Sequence, residues 1–465
     1  PRNNGHDYIP EMLNKGVTAF VVSEEEQISK KAAFILVDNT TTALQKLATH
    51  NRRKYYYPVV GITGSNGKTI VKEWLFELLS SSFQVVRSPK SYNSQIGVPI
   101  SVLLMNENYN LALIEAGISK PGEMQHLAEI VEPKIGILTN IGDAHQENFN
   151  SRKHKTKEKL KLFRNTNQLI FRVDDVEVNQ LAENFCRSHS VEKVSWSLKG
   201  EKAFIQFTAE IKEGKTIIHA GLENRNYRFT IPFSDESAIE NACHCFALIV
   251  ALKAKPEDVL PRFQKLAPVA MRLEIKKGIN NCLLVNDYYN SDLTSLTIAL
   301  SVLNQQAKKG YQKKQVILSD IHQTGMHKTE LYKKVNQLLD EWGTDELIGI
   351  GPEIRAHANS FTVPIKVAGS LREFEETFHR NQFENSAILI KGAREFRFEK
   401  ISALLQQKAH QTLLEINLNA LTDNLNQFRA LLKPETKIMV MVKAFSYGSG
   451  DTEIAKLLQF QNVDY

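Results

Sequence analysis

The sequence predicts an α/β protein built on a central parallel sheet with a phosphate-binding loop, followed by a second αβ unit. Three observations carry this. Short apolar runs recur, each soon followed by Gly and polar residues: Val59-Val60-Gly61-Ile62, Leu111-Ala112-Leu113-Ile114-Glu115 and Ile135-Gly136-Ile137-Leu138-Thr139. After the first run, Val71, Leu75, Leu78 and Leu79 repeat at helical spacing. A second series of apolar runs begins beyond Pro268. Continuous apolar strands alternating with helices indicate parallel sheets covered on both faces, because each crossover helix lays an apolar stripe on the sheet.

Taken in order, residues 1–55 hold short αβ elements, with Ala19-Phe20-Val21-Val22 as a strand. Residues 56–268 are expected to form the central domain and 269–408 the second unit. The strands of that unit are Cys282-Leu283-Leu284-Val285, Gln315-Val316-Ile317-Leu318, Leu347-Ile348-Gly349-Ile350 and Ala387-Ile388-Leu389-Ile390. A new pattern occupies 409–465: a strand Leu414-Glu415-Ile416-Asn417-Leu418, a helix, then a strand Lys437-Ile438-Met439-Val440-Met441-Val442. The 465 residues suffice for about three or four domains. The start lacks an initiator Met and the end follows a helical pattern without a closing element, so both ends are expected to be cut.

Composition narrows the class. Apolar residues are 42% and charged residues 24%, as in ordinary globular chains. No apolar run approaches the roughly 18 residues that span a bilayer, so no membrane span is expected. The net charge of +6 is modest, and no nucleic-acid partner is expected. The densest basic run, Arg152-Lys153-His154-Lys155-Thr156-Lys157-Glu158-Lys159, reads as a solvated helix face and also suits an anionic substrate. The four cysteines are scattered, and Cys243 and Cys245 lack the C-x-x-C spacing of zinc or redox sites. Buried reduced thiols and a cytoplasmic location are the expectation.

The chemistry begins at Thr63-Gly64-Ser65-Asn66-Gly67-Lys68-Thr69. Gly64 and Gly67 permit tight turns that bring backbone N–H groups against phosphate oxygens. Ser65 and Asn66 lie between them. Lys68 reaches the β- and γ-phosphates, and the Thr69 hydroxyl ligates Mg2+. The helix that starts here adds its positive end. ATP is therefore the expected cofactor, although Ile62 breaks the strict G-x-x-x-x-G-K-[ST] spacing.

This loop resembles that of the Mur ligases, which build the peptidoglycan peptide; folylpolyglutamate synthases share a similar one. The resemblance implies that ATP phosphorylates a substrate carboxylate and that an amine then attacks the acyl phosphate. Further segments carry it. Asn93-Ser94-Gln95-Ile96-Gly97-Val98-Pro99 resembles the family's Asn-x-x-x-Gly-x-Pro, making Asn93 a substrate residue. Glu115 at a strand end takes the place of a magnesium ligand. Thr139-Asn140-Ile141-Gly142-Asp143-Ala144-His145 resembles T-N-x-x-x-A-H, which implies that His145 helps hold a second metal. Lys159-Leu160-Lys161-Leu162-Phe163 is similar to the helix whose lysine is carbamylated by CO2, converting a cation into an oxygen ligand. Lys157 is the competing register.

Beyond these, Asp287-Tyr288-Tyr289-Asn290-Ser291-Asp292-Leu293 resembles the D-x-Y-N-A-N-P of the MurF branch, which adds D-alanyl-D-alanine. Asn290 then contacts adenine. Ser319-Asp320-Ile321-His322-Gln323-Thr324-Gly325 is similar to that branch's G-D-M-x-E-L-G, giving Asp320 a nucleotide role, and Lys391-Gly392-Ala393-Arg394 to its K-G-S-R. The implied architecture is a three-domain ligase with a Rossmann-like C-terminal domain, acting on UDP-MurNAc-tripeptide and D-Ala-D-Ala. Finally, Val442-Lys443-Ala444-Phe445-Ser446-Tyr447-Gly448 resembles the segment of alanine racemases in which the lysine forms a Schiff base with pyridoxal phosphate and the tyrosine contacts its phosphate. Lys443 and Tyr447 fall on those positions. The chain is thus expected to end in the beginning of a TIM-barrel racemase domain that dimerises in the full-length protein. A folylpolyglutamate-type ligase and a non-catalytic nucleotide-binding scaffold remain the rival readings.

Overall fold

The computed structural model describes the chain except residues 1–3, 26–27, 143–145, 223–224, 270, 309, 323–325, 380–381, 408–415, 434, 444–445 and 447–451. It divides into two compact units, 1–406 and 407–465.

The first unit opens with a two-stranded parallel sheet, β1 (Ala19–Val22) and β2 (Ala33–Leu36). The helix Thr40–Arg52 follows, capped by the Asn39 side chain on the Thr42 amide. Buried Arg52 ties this helix to the central domain by donating to the carbonyls of Val131 and Glu132 at 2.8 and 3.0 Å.

A nine-stranded sheet forms the centre. Its strands are β3 (Val59–Thr63), β4 (Val85–Arg87), β5 (Leu111–Glu115), β6 (Ile135–Leu138), β7 (Gln168–Arg172), β8 (Glu192–Ser197), β9 (Ile205–Lys212), β10 (Lys215–Leu222) and β11 (Arg225–Ile231). The spatial order is β11-β10-β9-β8-β7-β6-β3-β5-β4. β3 lies between β5 and β6, parallel to both, so the strand order reverses there and a crevice opens beyond its C-terminal end. Every residue of β3, β5 and β6 is buried. One face is covered by the helices Lys68–Leu79 and Glu236–Ala251, and the other by Glu123–Val131 and Val176–His189. Each fully buried Val, Leu or Ile contributes roughly 1.5–3 kcal/mol relative to exposure. The end of the sheet at β9–β11 is an antiparallel meander.

The second sheet holds β12 (Glu274–Lys277), β13 (Leu283–Asp287), β14 (Lys313–Ser319), β15 (Glu346–Ile350), β16 (Ile365–Ala368) and β17 (Ser386–Lys391), in the order β12-β13-β17-β14-β15-β16. Only β12 runs antiparallel. This is the Rossmann-like layer, with β17 between β13 and β14.

The second unit contains the helices Leu418–Leu431 and Thr452–Phe460, packed through Leu425, Ile454 and Leu458. Two expectations change here. Residues 414 and 415 lie outside the described part, and Leu418 opens a helix rather than closing a strand. Residues 437–442 are extended but form no strand ladder among the described residues. Their backbone pairs with the chain end instead, Val440 N to Tyr465 O at 2.9 Å and Tyr465 N to Ile438 O at 3.1 Å. With a single partner, Met439 and Met441 remain exposed.

Candidate active site

The loop after β3 is held in shape from both sides. Gly64 has φ +151°, and a Cβ there would lie 1.8 Å from Thr139 Oγ1. Gly67 has φ +83°, and its Cβ would lie 2.4 Å from Asn241 Oδ1. Only glycine fits either position. Thr139 donates to the carbonyl of Asn66 at 2.7 Å, while Asn140 receives the amides of Ser65 at 2.7 Å and Asn66 at 3.0 Å. The Lys68 ammonium folds back on the carbonyls of Gly64 and Ser65 at 2.9 and 2.8 Å. Burial pushes its pKa down to about 8, opposed by Glu115 and reinforced by Arg272.

Thr69 begins the helix and donates to Glu115 Oε2 at 2.9 Å. Asn93 donates to Glu115 Oε1 at 2.7 Å. Glu115 is fully buried, so its carboxylate needs these partners and a cation. Part of that need is met by Lys72, also fully buried, whose ammonium lies 3.9 Å from Glu115 Oε2 and 2.9 Å from Glu73 Oε1. Lys72 also donates to the carbonyls of Ser88 and Lys90, which fixes the loop leading to Ser91. A hydroxyl and a carboxylate oxygen side by side are the hard donors that Mg2+ takes, and Mg2+ commonly uses only one or two carboxylates besides phosphate. The residues fit the ion.

Lys159 stands on the helix Arg152–Leu160, whose first turn is capped by Ser151 on the His154 amide. Lys155 and Lys159 are on its buried side, while Lys153 and Lys157 are exposed. Lys159 donates to the Gly64 carbonyl at 3.0 Å and so joins the phosphate loop. Burial, then the neighbouring charges of Lys68 and Lys155, hold its pKa well below the usual lysine range. The lowering favours the neutral amine, which is the form that reacts with CO2. Lys159 thus meets the phosphate loop, whereas Lys157 is exposed. His145 lies outside the described residues.

The second sheet supplies the opposite wall. Arg272 donates to Ser91 Oγ at 3.3 Å and lies 4.3 Å over the Tyr289 ring. Asn290 follows on the turn after β13, and Lys391 pins that turn by pairing with Asp287 at 2.7 Å and with the Asn290 carbonyl. A cavity of about 370 Å³ is lined by Lys68, Asn93, Lys159, Arg272 and Asn290, and also by Gln95 and Glu123. Asp320 is not among the lining residues. Its carboxylate accepts the amides of Glu353 and Ile354 at 3.1 and 2.7 Å, where it caps the helix Pro352–Ala356. In the second unit Lys443 is exposed, and Tyr447 lies outside the described residues.

Residues 62–249 match the Mur ligase middle domain, and residues 416–465 match the N-terminal domain of alanine racemase. A UDP-N-acetylmuramoyl-tripeptide–D-alanyl-D-alanine ligase of Bacillus subtilis is 27% identical, covering 74% of each chain. Its counterpart from Rickettsia prowazekii is 28% identical over 86% of this chain and 89% of its own. Among solved structures, MurF from Acinetobacter baumannii superposes with a TM-score of 0.75 at 24% identity, covering 87% of this chain and 88% of that one. MurF from Thermotoga maritima in complex with ADP gives 0.71 at 21%, with 87% and 91% covered. Over most of its length the chain is similar to Mur ligases of the MurF type.

As a ligase it is an ATP-dependent enzyme that forms peptide bonds. Its site and the shell around it add residues that the sequence pattern alone does not single out. Lys72 reads as an ordinary surface lysine inside a helix, and Gln95 and Glu123 as loop polars. Arg272 belongs to a recognisable segment, but its pairing with Ser91 and Tyr289 arises only when the two sheets meet. No local spacing announces these roles, because each depends on a partner far away in the chain.

Proposed function

We propose that the chain ligates D-alanyl-D-alanine to UDP-MurNAc-tripeptide with consumption of ATP, in the cytoplasm. The observation that supports this most is one cavity lined by the phosphate loop, buried Lys159, Arg272 and Asn290, with the buried Thr69–Glu115 pair reached through its lining residue Asn93. The tripeptide carboxylate attacks the γ-phosphorus, ADP leaves, and the acyl phosphate is opened by the dipeptide amine. The amine loses a proton, and phosphate leaves as the amide bond forms.

Lys68 and Arg272 offset the charge of the transferring phosphoryl group from two sides. An ammonium destabilised by burial, as at Lys68, is stabilised when phosphate oxygens arrive. Thr69 and Glu115 hold Mg2+, which supplies further charge neutralisation when bound. The Lys159 amine, whose neutral form is favoured by burial, adds CO2 to give a carbamate and a proton, and the carbamate becomes an anionic oxygen donor beside Lys68 and Lys155. Asn93 orients Glu115 and the incoming substrate, and Asn290 faces the adenine. Asp320 acts by holding the helix Pro352–Ala356.

Phosphate release measured on the full chain tests the reading. Release that requires ATP, UDP-MurNAc-tripeptide and D-Ala-D-Ala together is expected. Release with a folate and glutamate instead, or no release with any substrate set, overturns it.

Residues 416–465 support a parent protein that also carries a pyridoxal phosphate-dependent alanine racemase, with Lys443 and Tyr447 on the cofactor and the racemase domain dimeric. Alanine racemisation by the parent protein, lost on Lys443→Ala, is the expected result.

A further inference from the structure

The cavity of the ligase is electrically lopsided. Its cations, Lys68, Lys159 and Arg272, sit where the phosphates go. One acid, Glu123, lines the same cavity. Its Oε2 accepts the amides of Ser119 and Lys120 at 2.7 and 2.9 Å. Its Oε1 takes no hydrogen bond among the described residues and is left for a ligand. The wall behind it is braced. Gln45 donates to Gln95 Oε1 at 3.1 Å, and Gln95 donates to the Glu123 carbonyl at 3.1 Å. Glu123 also opens the helix Glu123–Val131, whose positive end favours a carboxylate there.

We propose that Glu123 is the recognition residue for a primary amine of the substrates. This rests on the ligase reading above. A pre-oriented carboxylate with one free oxygen, facing a cavity otherwise filled with cations, discriminates in favour of an ammonium and against a second anion. Two amines could supply that group: the α-amine of the incoming dipeptide, or a basic side chain on the third residue of the UDP-tripeptide. In either case Glu123 gives the charged amine an anionic partner in a cavity whose other charged lining residues, Lys68, Lys159 and Arg272, are cations.

Glu123→Gln tests this, because the amide oxygen still accepts the two backbone amides while the charge is gone. Loss of one charge-assisted hydrogen bond is expected to raise one KM about tenfold or more, with the KM for ATP unchanged. A rise confined to D-Ala-D-Ala assigns the site to the dipeptide amine. Hydroxylamine, which traps the acyl phosphate without using the dipeptide site, then still gives hydroxamate at the wild-type rate. A rise confined to a lysine-containing UDP-tripeptide, and absent for its norleucine analogue, assigns the site to the side chain. Glu123→Asp keeps the charge and recovers part of the affinity, whereas Glu129→Gln on the exposed side of the same helix changes nothing. Unchanged KM values in Glu123→Gln, or all three KM values rising together, overturn the inference. A wild-type chain that releases no phosphate overturns the ligase reading instead.

Discussion

At the scale of single residues, the phosphate loop depends on space as much as on charge. Gly64→Ala would place a methyl group 1.8 Å from a hydroxyl that is already committed to the Asn66 carbonyl, at a φ of +151°. The backbone strain alone costs about 1–3 kcal/mol. Nucleotide binding by this variant, measured by calorimetry, is expected to be lost, while its far-UV circular dichroism stays close to wild type. A different single-residue effect lies below β7 and β8. Glu240 is mostly shielded from solvent beside Arg172, 3.4 Å away, and lies 4.0 Å from His244 Nε2. Burial pushes the Glu240 carboxyl up from 4.5 to about 7, against the opposing pull of Arg172. The folded state therefore holds this proton more tightly than the unfolded chain. Its stabilising contribution is complete below pH 4.5 and is lost as the pH rises through about 7. Glu240→Gln removes that loss. The melting temperature of the variant minus that of wild type is expected to grow between pH 5 and 8, and a constant difference would exclude the linkage.

At the scale of elements, the helix Arg152–Leu160 shows how a featureless basic run becomes a site. Packing turns Lys155 and Lys159 inward, to 1% and 4% exposure, and leaves Lys153 and Lys157 in water. Lys159→Ala is expected to cut kcat by about a hundredfold or more, the scale of losing one stabiliser of transition-state charge. The melting temperature should hold or rise, because the variant buries no amine. Lys157→Ala should leave both unchanged. Full activity in Lys159→Ala would refute the carbamate. The parallel strands are legible in the sequence because burial on both faces writes them as unbroken apolar runs. β9–β11 are not legible by that signal, since they bury one face: Ile205 and Phe207 point inward while Gln206 and Thr208 do not. The site divides in the same way. Lys68, Thr69 and Glu115 stand at loop and strand ends where their roles can be read, and the structure brings Asn93 and Lys159 to them. Lys72, Arg272 and Glu123 gain meaning only from contacts made after the elements pack. Asp320 is legible as a buried acid in a familiar segment, yet its two oxygens serve a helix start in place of a nucleotide.

At the scale of the whole first unit, the cavity is made by two sheets that meet through polar contacts. Arg272 bridges Ser91 and Tyr289, and Gln305 donates to Ser234 Oγ at 2.8 Å. A seam of this kind carries little apolar burial, so it resembles interfaces that open and close more than a continuous core. A nucleotide lying between Lys68 on one side and Arg272 and Asn290 on the other would join the two sheets. Binding that favours the joined state should raise thermal stability in proportion to affinity, by about 2.7 kcal/mol at a hundred times Kd. Arg272→Ala separates this bridge from ordinary folding. Its guanidinium is half-exposed at the seam and serves no buried core, so the melting temperature without nucleotide should stay near wild type. The rise with ATP and Mg2+ should shrink by the roughly 1.5–3 kcal/mol of a hydrogen bond to a charged group. Equal ATP-dependent stabilisation in the two proteins would mean that the nucleotide is held by the central sheet alone, with Arg272 holding the seam and not the phosphate.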